Sequence, residues 1–252
     1  GPGTNTYLIG DEEVTVIDPG PALHEHIEVI IQASANIKQI LLTHTHPDHS
    51  PGTRLLQDNI GVPVFALITE NSKDQDITFT PERILIDGEI IANEYYSIEV
   101  IHTPGHASNH LCYLLKDEKL LFTGDHIMDG STVVIAPPDG SMQDYIDSLA
   151  KLKEYDLNKI APGHGELIDE PYAVVDWIIK HRFERESKVI DVLKQHNSGD
   201  LNTLVKDIYA DVDSMLHPVA KWSLESHLVK LMDEGVVTRK NDKFFYIGDP
   251  SV

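Results

Sequence analysis

Four apolar, β-branched segments of this chain each run straight into a turn bearing histidine or aspartate, and that recurrence limits the folds open to it. Ile37 to Thr43 leads into His44, and Tyr96 to Ile101 leads into Thr103-Pro104-Gly105-His106. Lys119 to Phe122 leads into Thr123-Gly124-Asp125, and Leu157 to Ile160 leads into Pro162-Gly163-His164. Strands alternating with helical stretches predict α/β layers whose function sits in loops at strand ends. Chance placement would scatter the histidines over helices and surfaces. The densest turn, Thr43-His44-Thr45-His46-Pro47-Asp48-His49, sets three histidines and an aspartate within six residues. Imidazole nitrogens and a carboxylate suit zinc, iron or manganese, and the absence of thiolates argues against a purely structural zinc site.

The other elements follow from spacing. Thr4 to Ile9 and Val14 to Asp18 read as two strands, and Leu23 to Ala35 as a helix after Pro19-Gly20-Pro21. Pro63 to Ala66 reads as a short strand. Arg83 to Leu85 with Glu89 to Ala92 reads as a hairpin around Asp87-Gly88. Met142 to Glu154 has helical spacing.

Beyond Pro171 the pattern changes. Pro171 to His196 reads as one long helix or two abutting ones, followed by helices at Leu201 to Ala210 and Ala220 to Glu234. A hairpin then turns at Lys240-Asn241-Asp242-Lys243. Three helices and a hairpin are the winged-helix arrangement. Lys221, His227 and Lys230 on its third helix, with Arg239, Lys240 and Lys243 on the hairpin, form a modest basic strip. The expected division is a catalytic domain over residues 1–180 and a winged-helix-like domain over 181–252.

Charge bears on partners. The chain of 252 residues has a formal charge of −21, and residues 1–180 hold 10 Lys+Arg against 29 Asp+Glu. Such a surface repels long polyanions. No apolar run is long enough to span a bilayer, and no secretory pattern opens the sequence, so no membrane partner and a cytoplasmic location are expected. The lone cysteine, Cys112, lies in the apolar run Leu111 to Leu115 and is expected in the core. His24 and His26 are expected to be solvated, and His102 structural.

The ordered set His44-x-His46-x-Asp48-His49, Thr103-Pro104-Gly105-His106, Gly124-Asp125 and Pro162-Gly163-His164-Gly165 resembles the metallo-β-lactamase superfamily. Gly3-Thr4-Asn5-Thr6-Tyr7, Ala136-Pro137-Pro138-Asp139-Gly140 and the winged-helix-like tail resemble its lactamase-beta-like branch, related to glyoxalase II. One departure is Pro51, in His49-Ser50-Pro51-Gly52, where the family usually has glycine.

The resemblance implies a four-layer αβ/βα sandwich followed by the small, mainly helical winged-helix domain. It implies two divalent metal ions, zinc first with manganese or iron as alternatives. His44, His46 and His106 would hold one; Asp48, His49 and His164 would hold the other; Asp125 would bridge them. His44 and His46 also fall on the same face of an extended segment. The implied reaction is hydrolysis of a small ester-like substrate, a thioester or lactone, by a metal-bridging hydroxide that Asp48 helps to orient. His110, Asn5 and Tyr145 are candidates to support the ligands; Tyr145 either reaches the site mouth from its helix or is a core tyrosine. Two alternatives stand: a metal-dependent endoribonuclease of single-stranded RNA, and a non-catalytic metal-binding DNA regulator. A homodimer through the tail is a further expectation.

Overall fold

Alternation along the strands assigns each residue to one of two faces, and two sheets packed face to face result. The computed structural model describes residues 3–69 and 76–248. The first sheet takes the order β1 (Tyr7–Ile9), β2 (Val14–Ile17), β3 (Ile37–Leu41), β4 (Val64–Ala66), β5 (Arg83–Ile84). The second runs β10 (Lys159–Pro162), β9 (Leu120–Gly124), β8 (Leu111–Leu115), β7 (Ser97–His102), β6 (Ile90–Ala92).

Val16, Ile40 and Leu42 face α1 (His24–Ala33) and α2 (Gly52–Ile60), while Ile17 and Leu41 enter the inter-sheet core. In the second sheet, Val100, Tyr113 and Phe122 join that same inter-sheet core. Their neighbours Ile101, Cys112 and Leu121 turn outward to α3 (Met142–Leu152) and α4 (Pro171–His196). This period of two fixes the αβ/βα layering. Cys112 is fully buried in the layer beneath α3.

Arg83–Ile84 and Ile90–Ala92 do not form the expected hairpin. The first pairs parallel to β4 and the second antiparallel to β7, so Asp87-Gly88 carries the chain from one sheet to the other. An Arg83–Glu89 ion pair spans this crossing.

The helix from Pro171 to His196 is unbroken, so residue 180 lies inside it. Its first half packs Val175 and Ile178 into the sheet's outer core. Its second half packs Val189 and Leu193 against α5 (Leu201–Ile208), α6 (His217–Asp233) and the hairpin of β11 (Val237–Lys240) and β12 (Lys243–Tyr246). The third helix begins earlier than its periodicity suggested, directly after a 3-10 turn at Ser214–Leu216. No described helix is long and apolar enough to cross a membrane.

The basic strip is thinner than the sequence suggests. Lys230 is buried and bonds Glu186 at 3.0 Å and Glu234 at 2.7 Å, and His227 is buried beside Glu186. Positions 227 and 230 share the α6 face that packs on α4, so their charge is absorbed within the protein.

Candidate metal centre

The ligand-type turns leave β3, β7, β9 and β10 at their C-terminal ends, and the two sheets bring those ends together. Because β9 and β10 run parallel, Asp125 and His164 emerge side by side. The approach is close: a Cβ on Gly163 would lie 2.8 Å from Asp125 Oδ1. Glycine is therefore required where these two turns meet. Gly52 performs a similar service at the start of α2, where a Cβ would lie 2.7 Å from the Pro19 carbonyl. Pro51 just before it takes φ −63°, natural for its ring. The unusual proline therefore leaves the close approach to its neighbour.

All seven sequence-designated side chains meet in one cluster. His44 Nε2 lies 3.0 Å from His46 Nδ1, which lies 2.9 Å from His106 Nε2. His164 Nε2 lies 3.2 Å from both Asp48 Oδ2 and Asp125 Oδ1. His49 Nε2 is 3.2 Å from Asp125 Oδ1 and 3.6 Å from Asp48 Oδ2. The other oxygen of Asp125 lies 3.7 Å from His106 Nε2, so this carboxylate faces both groups. The trios His44–His46–His106, His44–His49–Asp125 and Asp48–His49–His164 each converge closely enough to share one ion.

Outer hydrogen bonds set which nitrogen each ring presents. His106 Nδ1–H donates to the Val134 carbonyl at 2.7 Å, and His164 Nδ1–H to the Gly3 carbonyl at 3.2 Å. Thr43 Oγ1 donates to Asp18 Oδ2 at 2.6 Å, which leaves that hydroxyl to accept from His44 Nδ1–H at 3.0 Å. His49 Nδ1–H donates to Asp18 Oδ2 at 2.9 Å. Four rings thus turn Nε2 inward, and His46 turns Nδ1 inward. Such anchoring of the distal nitrogen is what a metal-binding histidine requires.

A divalent cation fits this donor set. The inward nitrogens of His44 and His106 carry lone pairs, because their protons are engaged outside; an Nδ1–H on His46 satisfies one of them, whereas a cation among the three satisfies all. His49 Nε2 and Asp125 Oδ1 are buried and, although 3.2 Å apart, make no well-aligned hydrogen bond, an arrangement that suits a shared ion. Burial and neighbouring rings push His44 well down, and burial pushes His106 down to about 4, so both rings are neutral at neutral pH, the form that binds a metal. Burial works to lower His49, but Asp125 and Asp18 outweigh it and lift the group to about 10. His164 rises to about 10 through Asp125 and Asp48.

Asp18 escaped sequence reasoning although it bears on two ligands. It is buried at φ +49° and also accepts the Thr43 N–H at 2.8 Å. The signal was present in a fifth apolar segment, Val14–Ile17, that ends in an aspartate turn. Thr4 also went unmarked; its hydroxyl donates to Asp48 Oδ2 at 3.1 Å.

Among the expected supports, Asn5 Nδ2 donates to the carbonyls of Pro162 and Gly165 at 3.0 and 2.9 Å and braces the His164 turn. His110 is fully buried, with its ring 5.1 Å from that of His44 and Nδ1 3.0 Å from Thr103 Oγ1. Tyr145 does not reach the mouth. It is fully buried and its hydroxyl donates to the His126 carbonyl at 2.9 Å, because its position on α3 faces the sheet. His26, expected in solvent, is half-buried with Nε2 3.0 Å from Thr6 Oγ1. His102 bonds the Ser108 carbonyl through Nε2 at 3.0 Å.

Beside His46 and His106 opens a cleft of about 500 Å³, walled by Val134, Ala136, Pro137, Pro138 and Trp222. Trp222 belongs to α6 and was not singled out from the sequence.

The family model for the metallo-beta-lactamase superfamily matches residues 1–164, and that for the beta-lactamase associated winged helix domain matches residues 201–244. A beta-lactamase-like protein 2 homolog of Caenorhabditis elegans is 32% identical over 99% of this chain and 85% of its own length. An atrochrysone carboxyl ACP thioesterase of Aspergillus chevalieri is 29% identical over 91% of this chain and 74% of its own. The crystal structure of a metallo-beta-lactamase family protein from Thermus thermophilus superposes with a TM-score of 0.82 at 20% identity. That match covers 97% of this chain and 94% of the other.

Proposed function

The chain belongs to the metallo-beta-lactamase superfamily, and from that premise we propose that it is a dinuclear metal-dependent hydrolase of small ester-like substrates, thioesters before lactones. His44, His46 and His106 would hold one divalent cation and Asp48, His49 and His164 the second, with Asp125 reaching both. Zinc is the first choice, with manganese or iron as alternatives. The observation that carries the reading is the placement of Asp125, whose Oδ1 faces His49 and His164 while Oδ2 faces His106. The thioesterase relative favours a thioester within the ester-like class. Residues 1–180 would form the catalytic part and 181–252 an appended one, with the boundary inside α4.

Bound cations would polarise the substrate carbonyl and make water a usable nucleophile near neutral pH. The chain's own groups perform the remaining tasks. Asp48 is held down to about 2, chiefly by His164, and its side chain is 49% exposed. It is therefore an ionised, accessible acceptor that can orient water through Oδ2. Thr4 and His164 fix that oxygen from behind. No covalent nucleophile is called for: Cys112 is buried away from the site, with its thiol pushed up to about 12 by burial.

The test is to strip the protein with a chelator, reload it with zinc, manganese or iron, and measure metal stoichiometry and hydrolysis of a neutral thioester and a lactone. Two ions per chain with chelator-sensitive turnover is expected. One ion per chain overturns the dinuclear reading. Cleavage of labelled single-stranded RNA with no ester turnover replaces the substrate class.

A further inference from the structure

The cleft beside the cluster resolves the substrate class further, and this inference rests on the hydrolase reading. Its walls include Pro137, Pro138 and Trp222, and His46 and His106 line it as well. Anything held there places its reactive carbon next to the metal ligands. At about 500 Å³ the cleft has the size of a ligand site and room for a bicyclic group.

Charge narrows the occupant. Among the described residues no lysine or arginine lines the cleft. Its single carboxylate, Asp139, is already engaged by the Ser108 hydroxyl at 2.5 Å and the Ser108 N–H at 3.3 Å. Apart from the cation that His46 and His106 would help to hold, a phosphate or a free carboxylate on the bound group would find no counter-charge and would face Asp139. The occupant is therefore uncharged.

Trp222 is 52% exposed, and the helix that carries it is anchored at the next residue. The hydroxyl of the next residue, Ser223, accepts the Ile135 N–H at 3.3 Å. Ile135 in turn follows Val134, whose carbonyl accepts from His106. Two hydrogen-bonded links thus tie α6 to a cluster histidine and place Trp222 at the cleft. A large, rigid aromatic face left in solvent but held in place suits stacking against a planar ring.

We infer that Trp222, supplied by the winged-helix domain, is a specificity-determining residue that stacks on an uncharged, aromatic or conjugated acyl group of the substrate.

The experiment compares N-acetylcysteamine thioesters of 2-naphthoic and butanoic acids with zinc-loaded wild type, Trp222→Ala and Trp222→Phe. A neutral thiol arm removes any contribution from phosphates. Wild type should prefer the naphthoyl ester, Trp222→Ala should lower that preference about tenfold in kcat/KM, and Trp222→Phe should retain most of it. A second readout needs no turnover. In a Trp177→Phe background, Trp222 is the only indole, and neutral 4-nitroacetophenone should quench it along a saturating curve.

Linear, collisional quenching, or equal loss on both esters in Trp222→Ala, overturns the assignment while leaving the hydrolase intact. Saturable quenching without hydrolysis of either ester overturns the hydrolase reading and retains the aryl site.

Discussion

The Asp18 carboxylate accepts the Nδ1–H of His49 at 2.9 Å, and this one bond turns Nε2 of the same ring toward Asp125. Asp18 touches no substrate and stands outside the proposed ligand set, yet it also accepts both the N–H and the hydroxyl of Thr43, beside His44. It therefore anchors the start of the histidine turn and the rotamer of its last member together.

Asp18→Ala should weaken metal binding about 10- to 100-fold, the usual cost of losing an outer partner of a metal-binding histidine. Competition against a chelating dye measures it. Asp18→Asn, which retains an acceptor, should lose less; equal losses would make Asp18 a packing residue.

Asp48→Ala should abolish thioester turnover with little change in melting temperature. The side chain is half-exposed and its deletion opens no core cavity, so its loss should be a functional one. Retained full activity in zinc-loaded Asp48→Ala refutes its assigned role.

Gly163→Ala should cost about 1–3 kcal/mol of stability by overpacking and should also impair metal binding. Its new Cβ would lie 2.8 Å from Asp125 Oδ1 and 2.9 Å from the Gly124 carbonyl, and backbone has little room to yield. Thermal melts and metal titration on the same sample separate the two effects.

Acid should loosen the contact between α4 and α6. Burial lowers His227 below its ordinary 6.5. Glu186 is raised by burial, but His227 and Lys230 more than offset this and hold it below its ordinary 4.5. For both groups the unfolded chain takes protons first, so their contribution is present at neutral pH and is lost as pH falls. The decline should begin near 6.5 through His227 and steepen near 4.5 through Glu186. Arg182 and Lys230, the cations that act on His227, reinforce its fall. Melting temperatures of wild type and Glu186→Gln between about pH 4 and 7 should converge at the acid end. A constant gap would refute the linkage.

Sequence patterns exposed the histidine and aspartate turns that converge in the cluster, because side chains suited to a metal are few in kind and a strand end restricts place. The apolar run Ile37 to Thr43 was legible as a strand, and the structure sends Leu41 to one core and Ile40 and Leu42 to another. Pairing was less legible. Arg83–Ile84 and Ile90–Ala92 have strand composition and a turn between them, but which edge each joins depends on neighbours far along the chain. Asp18 and Trp222 were missed for a related reason. Each acts on groups distant in the chain, and nothing local marks it. Lys230 and His227 looked like surface charge until the packing of α6 on α4 turned them inward.

The helix from Pro171 to His196 contributes Val175 and Ile178 to one core and Val189 and Leu193 to another. Each residue of an α-helix advances the rotation by about 100°. Inserting one residue near its middle would swing everything beyond it through that angle, carrying Trp222 off the cleft. The two halves of the molecule are thus geared to each other, and the length of this shaft can change only by steps that bring the teeth back into mesh.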